Sequence, residues 1–233
     1  MDPSALELSL SVVAIPHGSF AAEPDSRVFT KAVEVTTVSL STTTFHTTAG
    51  EPAPLQVVSA GLYNGTPTDY PFDDYDTSVG WVASVNGQDV PLSVTFSDSD
   101  PFFVVRPTRT ATAGQATLMD ARAGRSRATF ILAWFMMIAM WALALAVLGG
   151  AEVLVRRRQG MIWPALGWMA ATLFALVGLR NAAPGSPPIG SLMDYVAFFW
   201  AEGIIAASLA CAAAFGVRNE RRSLAAEKAV PPP

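Results

Sequence analysis

The chain has a single cysteine, Cys211, and only two histidines, His17 and His46, among its 233 residues. One thiol set inside an apolar segment excludes an intramolecular disulfide and leaves little room for redox chemistry. Neither histidine lies in a zinc or catalytic spacing. Also missing are a G-x-S-x-G elbow, a phosphate-cradling glycine loop and a histidine–glutamate zincin pair. The expectation is a protein that is not an enzyme and carries no cofactor. Charged residues make up only 15% of the chain, the net charge is −4, and no Lys/Arg run is interleaved with aromatics. That pattern argues against a nucleic-acid partner, and no motif marks a small-molecule substrate.

What is present is divided between two solvents. Residues 1–127 are rich in Thr, Ser, Val, Asp and Pro; residues 128–217 are rich in Ala, Leu, Phe, Met and Trp. The stretch 128–151 carries no charge, and at about 1.5 Å per residue it exceeds the roughly 30 Å of hydrocarbon in a bilayer. The pattern predicts three transmembrane helices, at 128–155, 161–180 and 192–217. Glu152 stands four residues before Arg156, within reach on a helix. Pro164 falls in the first turn of the second helix, where a missing amide does little harm.

Arg156, Arg157, Arg158, Arg218, Arg221, Arg222 and Lys228 flank the spans on one side, against Arg122, Arg125, Arg127 and Arg180 on the other. The richer side is expected to be cytoplasmic. This places a disordered tail, 218–233, inside the cell and the connection 181–190 outside, together with the whole domain 1–127, in a multi-pass protein of the inner (plasma) membrane. Export of that domain calls for a leader, yet the first residues show no basic n-region followed by an apolar core. A signal anchor encoded upstream of Met1, making a fourth span, is therefore expected.

Residues 6–12 alternate apolar and polar, the signature of a half-buried strand. Similar runs occur at 33–40, 42–48, 55–62, 78–85, 90–96, 102–106 and 115–121, and Asn86-Gly87 supplies a tight hairpin turn. The expected fold is a membrane α+β protein: an antiparallel β-sandwich of immunoglobulin-like architecture, followed by the three helices.

Several constellations stand out. Asp69, Asp73, Asp74 and Asp76 gather around Tyr70-Pro71-Phe72; they are weak candidates for Ca²⁺, because the loop lacks the spacing and glycine of a calcium site and Asp is common in turns. The run from Leu179 through Arg180, Asn181, Pro184, Gly185, Pro187, Pro188 and Gly190 is a stiff connection between the second and third helices. Arg180 and Asp194 stand at its two ends, placed to pair. Glu202 lies two turns beyond Asp194, roughly 12 Å further into the bilayer. There it must be protonated or face a partner, either Arg127 or another subunit. Trp134, Trp141, Trp163, Trp168 and Trp200 suit interface anchoring, and Ala206, Ala207, Ala210 and Ala213 give the third helix a surface that another helix can approach closely.

The Tyr70-Pro71-Phe72-Asp73 loop, Leu179-Arg180-Asn181, the Pro-Gly-x-Pro-Pro-x-Gly run at 184–190, and Asp194 followed by Phe198-Phe199-Trp200 resemble an actinobacterial membrane family, domain of unknown function 4436. The resemblance extends over nearly the whole chain. Members usually carry one more transmembrane helix ahead of the β domain, and the family has no assigned catalytic residues. The resemblance implies membrane lipids and integral-membrane transporter subunits as partners. It implies the role of a non-enzymatic accessory subunit in an envelope complex of the Mce lipid-importer type, with Arg180, Asn181, Pro184, Gly185, Pro187, Pro188, Asp194, Trp200 and Glu202 as interaction residues. The competing class is a stand-alone receptor or sensor that binds a small ligand or Ca²⁺ through the loop 69–76.

Overall fold

A computed structural model describes residues 1–157 and 163–228, the last three by backbone alone. Arg158, the expected start of the second span at 161–162, and the tail beyond 228 lie outside the described residues. The chain forms two compact units, one of residues 1–67 and 72–126 and the other of Thr68–Pro71 with the chain from Arg127 onward.

The first unit is built on eight strands: β1 (Glu7–Val12), β2 (Glu34–Val38), β3 (Thr42–His46), β4 (Gln56–Tyr63), β5 (Asp74–Val85), β6 (Gln88–Val90), β7 (Phe103–Ala113) and β8 (Ala116–Arg125). All named pairings are antiparallel. The strands are joined in one hydrogen-bonded sheet rather than in two separate ones. The reason is β5, whose alternation is almost unbroken over 12 residues, with Tyr75, Thr77, Val79, Trp81 and Ala83 buried in turn. So long a strand has room for four neighbours. Its first part pairs with β4 and β8, its second with β2 and β6.

One correction follows. The expected strand at 90–96 is absent, because β6 ends at Val90 and Pro91 has no amide to continue the ladder. Its alternation survives as packing: Leu92, Val94 and Phe96 turn inward from an extended segment outside the sheet. The hairpin at Asn86-Gly87, with φ of 51° and 74°, does form, between β5 and β6. Gly65 is required by close packing, since a Cβ there would overlap the Asp74 carbonyl oxygen and the Tyr75 ring.

The second unit contains three helices long and apolar enough to cross a membrane: α1 (Arg127–Arg156), α2 (Trp163–Asn181) and α3 (Phe199–Lys228), the last entered through a π-helical turn at Asp194–Phe198. Its core runs along α1 through Ala133, Met137, Met140, Ala144, Val147 and Ala151, alternating steps of four and three. That period is the seam of coiled-coil packing. Ala197, Ala201 and Ala212 supply small partners from the π turn and α3, Ile205 a larger one, and Met169 and Leu176 join from α2. Tyr70, fully buried, belongs to the same cluster. Phe135, Ile138 and Phe174 are turned outward, an arrangement that suits hydrocarbon and not water. Residues 218–228 continue α3 as helix, where a disordered tail was expected from 218. Residues 218–228 contain no Gly or Pro, and Arg218, Glu220, Arg221 and Ala225 are good helix formers, so nothing stops the helix there.

Candidate functional site

The connection between α2 and the π turn folds around one ion pair. Arg180 ends an apolar helix and Asp194 opens the next, so each lacks water and each has the other within reach. The Arg180 guanidinium donates to Asp194 Oδ1 from Nε at 2.9 Å and to Oδ2 from Nη2 at 2.8 Å, the two-pronged geometry that suits a carboxylate. The guanidinium also donates to the carbonyls of Pro187 (3.3 Å) and Pro188 (2.9 Å). Asp194 Oδ2 accepts the amides of Gly190 (2.8 Å) and Ser191 (3.2 Å). Gly190 has a φ of +87°, a conformation that costs a glycine little and other residues much more. The pair, its loop carbonyls and its loop amides thus form one closed network.

Burial changes what these residues can do. Asp194 is 0% exposed and Arg180 8%, and Pro187 is buried as well. They shape the connection from inside and do not present themselves to a partner. The exposed positions are Asn181, Ala182, Ser186 and above all Ile189, which is 84% exposed at the tip of the loop. Tyr195 and Trp200 also stand out from the surface, while Pro184 and Gly185 are half-buried. Ile189 was missed in the sequence because a lone apolar residue among prolines carries no periodic signal.

The π turn adds a further tie. The Trp141 indole of α1 donates to the Val196 carbonyl at 3.2 Å, so this tryptophan is a cross-helix link as well as packing. π turns widen the ladder and recur at functional positions.

Glu202 lies on α3, half-buried. Among the described residues it has no ion-pair or hydrogen-bonding partner, and the expected link to Arg127 is not formed. Next to it runs an exposed strip of small residues, Gly203, Ala206, Ala207, Ala210 and Ala214. Ala213 is half-buried, and the residues that α3 turns inward are Ala201, Ile205, Ser208, Ala212 and Gly216.

In the β unit the acidic loop is consumed by partners. Asp73 is gripped by Arg125, with Nε at 2.9 Å from Oδ1 and Nη2 at 2.9 Å from Oδ2, and accepts the Tyr75 hydroxyl at 3.1 Å. The Arg125 guanidinium lies 4.1 Å over the Phe103 ring. Asp74 pairs with Arg122, and Asp76 accepts from Asn64 at 3.2 Å. Asp69, grouped with the helical unit, ends a 3-10 turn at Pro67–Asp69. No group of three metal-ligating side chains occurs among the described residues. Arg125 as the partner of Asp73 was not foreseen, because 52 residues separate them and only the β5–β8 pairing brings them together. Glu152 and Arg156 do pair, on the exposed end of α1.

A family model described as domain of unknown function (DUF4436) matches residues 1–123, and a second, described as domain of unknown function (DUF8686), matches residues 125–219. No curated protein matches the chain. The motifs that suggested one family over nearly the whole length are therefore divided: the loop 70–73 falls in the first match, and the connection with Asp194 and Trp200 falls in the second. With the first match extending over 123 of the 233 residues, the chain belongs to the family of domain of unknown function 4436.

Proposed function

We propose that this chain is a non-enzymatic accessory subunit of a membrane-embedded envelope complex, of the Mce lipid-importer type, and that it docks on its partner through α3. The observation that carries this reading is Glu202. A carboxyl group in a segment apolar enough to span a bilayer is expensive unless it meets a partner or a proton, and such residues habitually face protein rather than lipid. The neighbouring Gly203, Ala207, Ala210 and Ala214 remain exposed, a surface on which a second helix can approach to backbone distance. In this reading the β unit is extracytoplasmic, the C-terminus is cytoplasmic, and the exposed Ile189 and Tyr195 extend the contact at the outer end. The sensor alternative draws no support from the loop 69–76, where Asp73, Asp74 and Asp76 are each held by a side chain of the same unit.

Purification from native membranes in mild detergent tests the proposal. The chain should bring transporter subunits with it in fixed stoichiometry, and Glu202→Leu combined with Ala207→Leu should release them while leaving the amount of folded chain unchanged. Release by neither substitution, or a chain that emerges alone from native membrane, refutes it.

A further inference from the structure

The β unit contains a cleft of about 790 Å³ that takes no part in the features described so far. This lies in the upper part of the ~300–1,000 Å³ range of ligand pockets, and interior voids larger than a water are otherwise few. Its floor is apolar, formed by Leu8, Leu10, Val35, Trp81, Ala83 and Met119. Its two sides are the stretches 8–17 and 90–101, and every residue of both stretches lines it. In an extended chain side chains alternate, so an unbroken lining means that the main chain itself faces the cleft.

Both of these main-chain edges are unpaired. β1 is the end strand of the sheet; apart from the bridge of Glu7 to Asp2 at its start, it pairs only with β4. The extended segment 91–97 makes no backbone hydrogen bond to the sheet among the described residues. Besides the packing of Leu92, Val94 and Phe96, it is hydrogen-bonded only near its ends, where Thr117 Oγ1 donates to the Leu92 carbonyl at 3.0 Å and Asp98 Oδ2 accepts the Val105 amide at 3.1 Å. A hydrocarbon chain entering here would bury two rows of peptide groups without satisfying them, which is costly. An extended peptide would satisfy both rows and lay its alternate apolar side chains on the floor.

We infer that the cleft is a strand-acceptor groove: it takes an extended segment of a partner polypeptide, alternately apolar, between β1 and the segment 91–97. Asp98 and Asp100 at the rim are already engaged, by the amides of Asp100 and Val105 and by Phe102, Phe103 and Met1, so main-chain pairing and apolar side chains select the occupant. This deepens the accessory-subunit reading by naming a contact of the β unit, but it is tested separately, without any transporter present.

The full-length protein in dodecyl maltoside is mixed with the peptide Lys-Val-Thr-Val-Thr-Val-Lys, and backbone hydrogen exchange is followed by mass spectrometry. Slowed exchange in both 8–12 and 91–97 is expected, with no change for a control peptide whose threonines are replaced by proline. Ser93→Pro with Thr95→Pro, at exposed positions outside the core, should weaken peptide binding at least tenfold at an unchanged melting temperature. Ala83→Phe, which fills the floor, should do the same by a different route. The inference is overturned if neither edge is protected, if the proline control protects equally, if both variants bind normally, or if raising the dodecyl maltoside concentration alone gives the same protection, which would make the groove a site for alkyl chains. Failure here leaves the copurification result intact, and the reverse also holds.

Discussion

Arg180 and Asp194 meet through two parallel hydrogen bonds of 2.9 and 2.8 Å, across a connection whose own carbonyls and amides complete the shell of both. Removing one partner strands the other, and breaking a buried pair in this way costs about 3–5 kcal/mol. Asp194→Asn should therefore lower the detergent melting temperature sharply. Arg180→Lys should fall part of the way, because an ammonium cannot reproduce the fork. A double change, Arg180→Met with Asp194→Leu, should recover much of the loss by thermal melting; equal damage in all three variants would mean that the pair itself matters little.

In the β unit, Asp73 serves Arg125 and Tyr75 together. Tyr75→Phe removes one bond to a charged acceptor and should cost roughly 1.5–3 kcal/mol. Asp73→Ala leaves a guanidinium buried against Phe103 and should cost more, about 3–5 kcal/mol. Urea unfolding of the full chain followed by β-sheet circular dichroism ranks the two, and the reverse order would contradict this account.

Gly65→Ala should be among the most harmful single-methyl additions in the chain, because the new carbon meets a strand carbonyl that cannot step aside. Overpacking of this kind costs about 1–3 kcal/mol. Gly149→Ala, in a helix with open space around the site, should be neutral or mildly stabilising. Parallel melts of the two variants provide the comparison.

Thr77 is 1% exposed, and its hydroxyl has no partner among the described residues. Replacing it by valine keeps the β-branched shape and removes an unmet polar group. Thr77→Val should raise the melting temperature by an amount equivalent to about 1 kcal/mol or more. A drop would reveal that the hydroxyl is satisfied in solution.

Asp100 titrates below the usual carboxylate range. Burial alone would push it up, but hydrogen bonds from the amides of Phe102 and Phe103 and from the Met1 nitrogen outweigh that effect. A carboxyl group depressed in the folded state adds stability above its unfolded value near 4 and loses it as the pH falls through the folded value. The β unit should thus weaken as the pH is lowered below about 4, and Asp100→Asn should flatten that part of the stability profile. Unfolding curves between pH 6 and pH 3 measure it.

Hydropathy and alternation carried much of the architecture. The run 6–12 reads as a strand because its period is two, and it is one; the apolar run from 128 can hardly be anything but a helix. Arg180 and Asp194 were legible as a pair because each stands alone at the edge of an apolar span. Pattern failed where the answer depends on a neighbour. Leu92, Val94 and Phe96 have the side-chain order of a strand, yet strands also need a ladder partner, and that is a property of the tertiary arrangement. The π turn is a shift of one residue in backbone bonding and leaves no compositional trace. Tyr70 looked like one aromatic in an acidic loop, and no local rule assigns it to the core of the helical unit.

The four-and-three spacing along α1 makes chain length a constraint of its own kind. A residue inserted between Met140 and Ala144 would turn everything beyond it by about 100° and rotate Val147 and Ala151 off the seam, whatever residue was chosen. An insertion of three or four residues would nearly restore the phase at the expense of local winding. Homologous chains should therefore tolerate changes of side chain in α1 far more readily than changes of count, and gaps, where they occur, should come in helical turns.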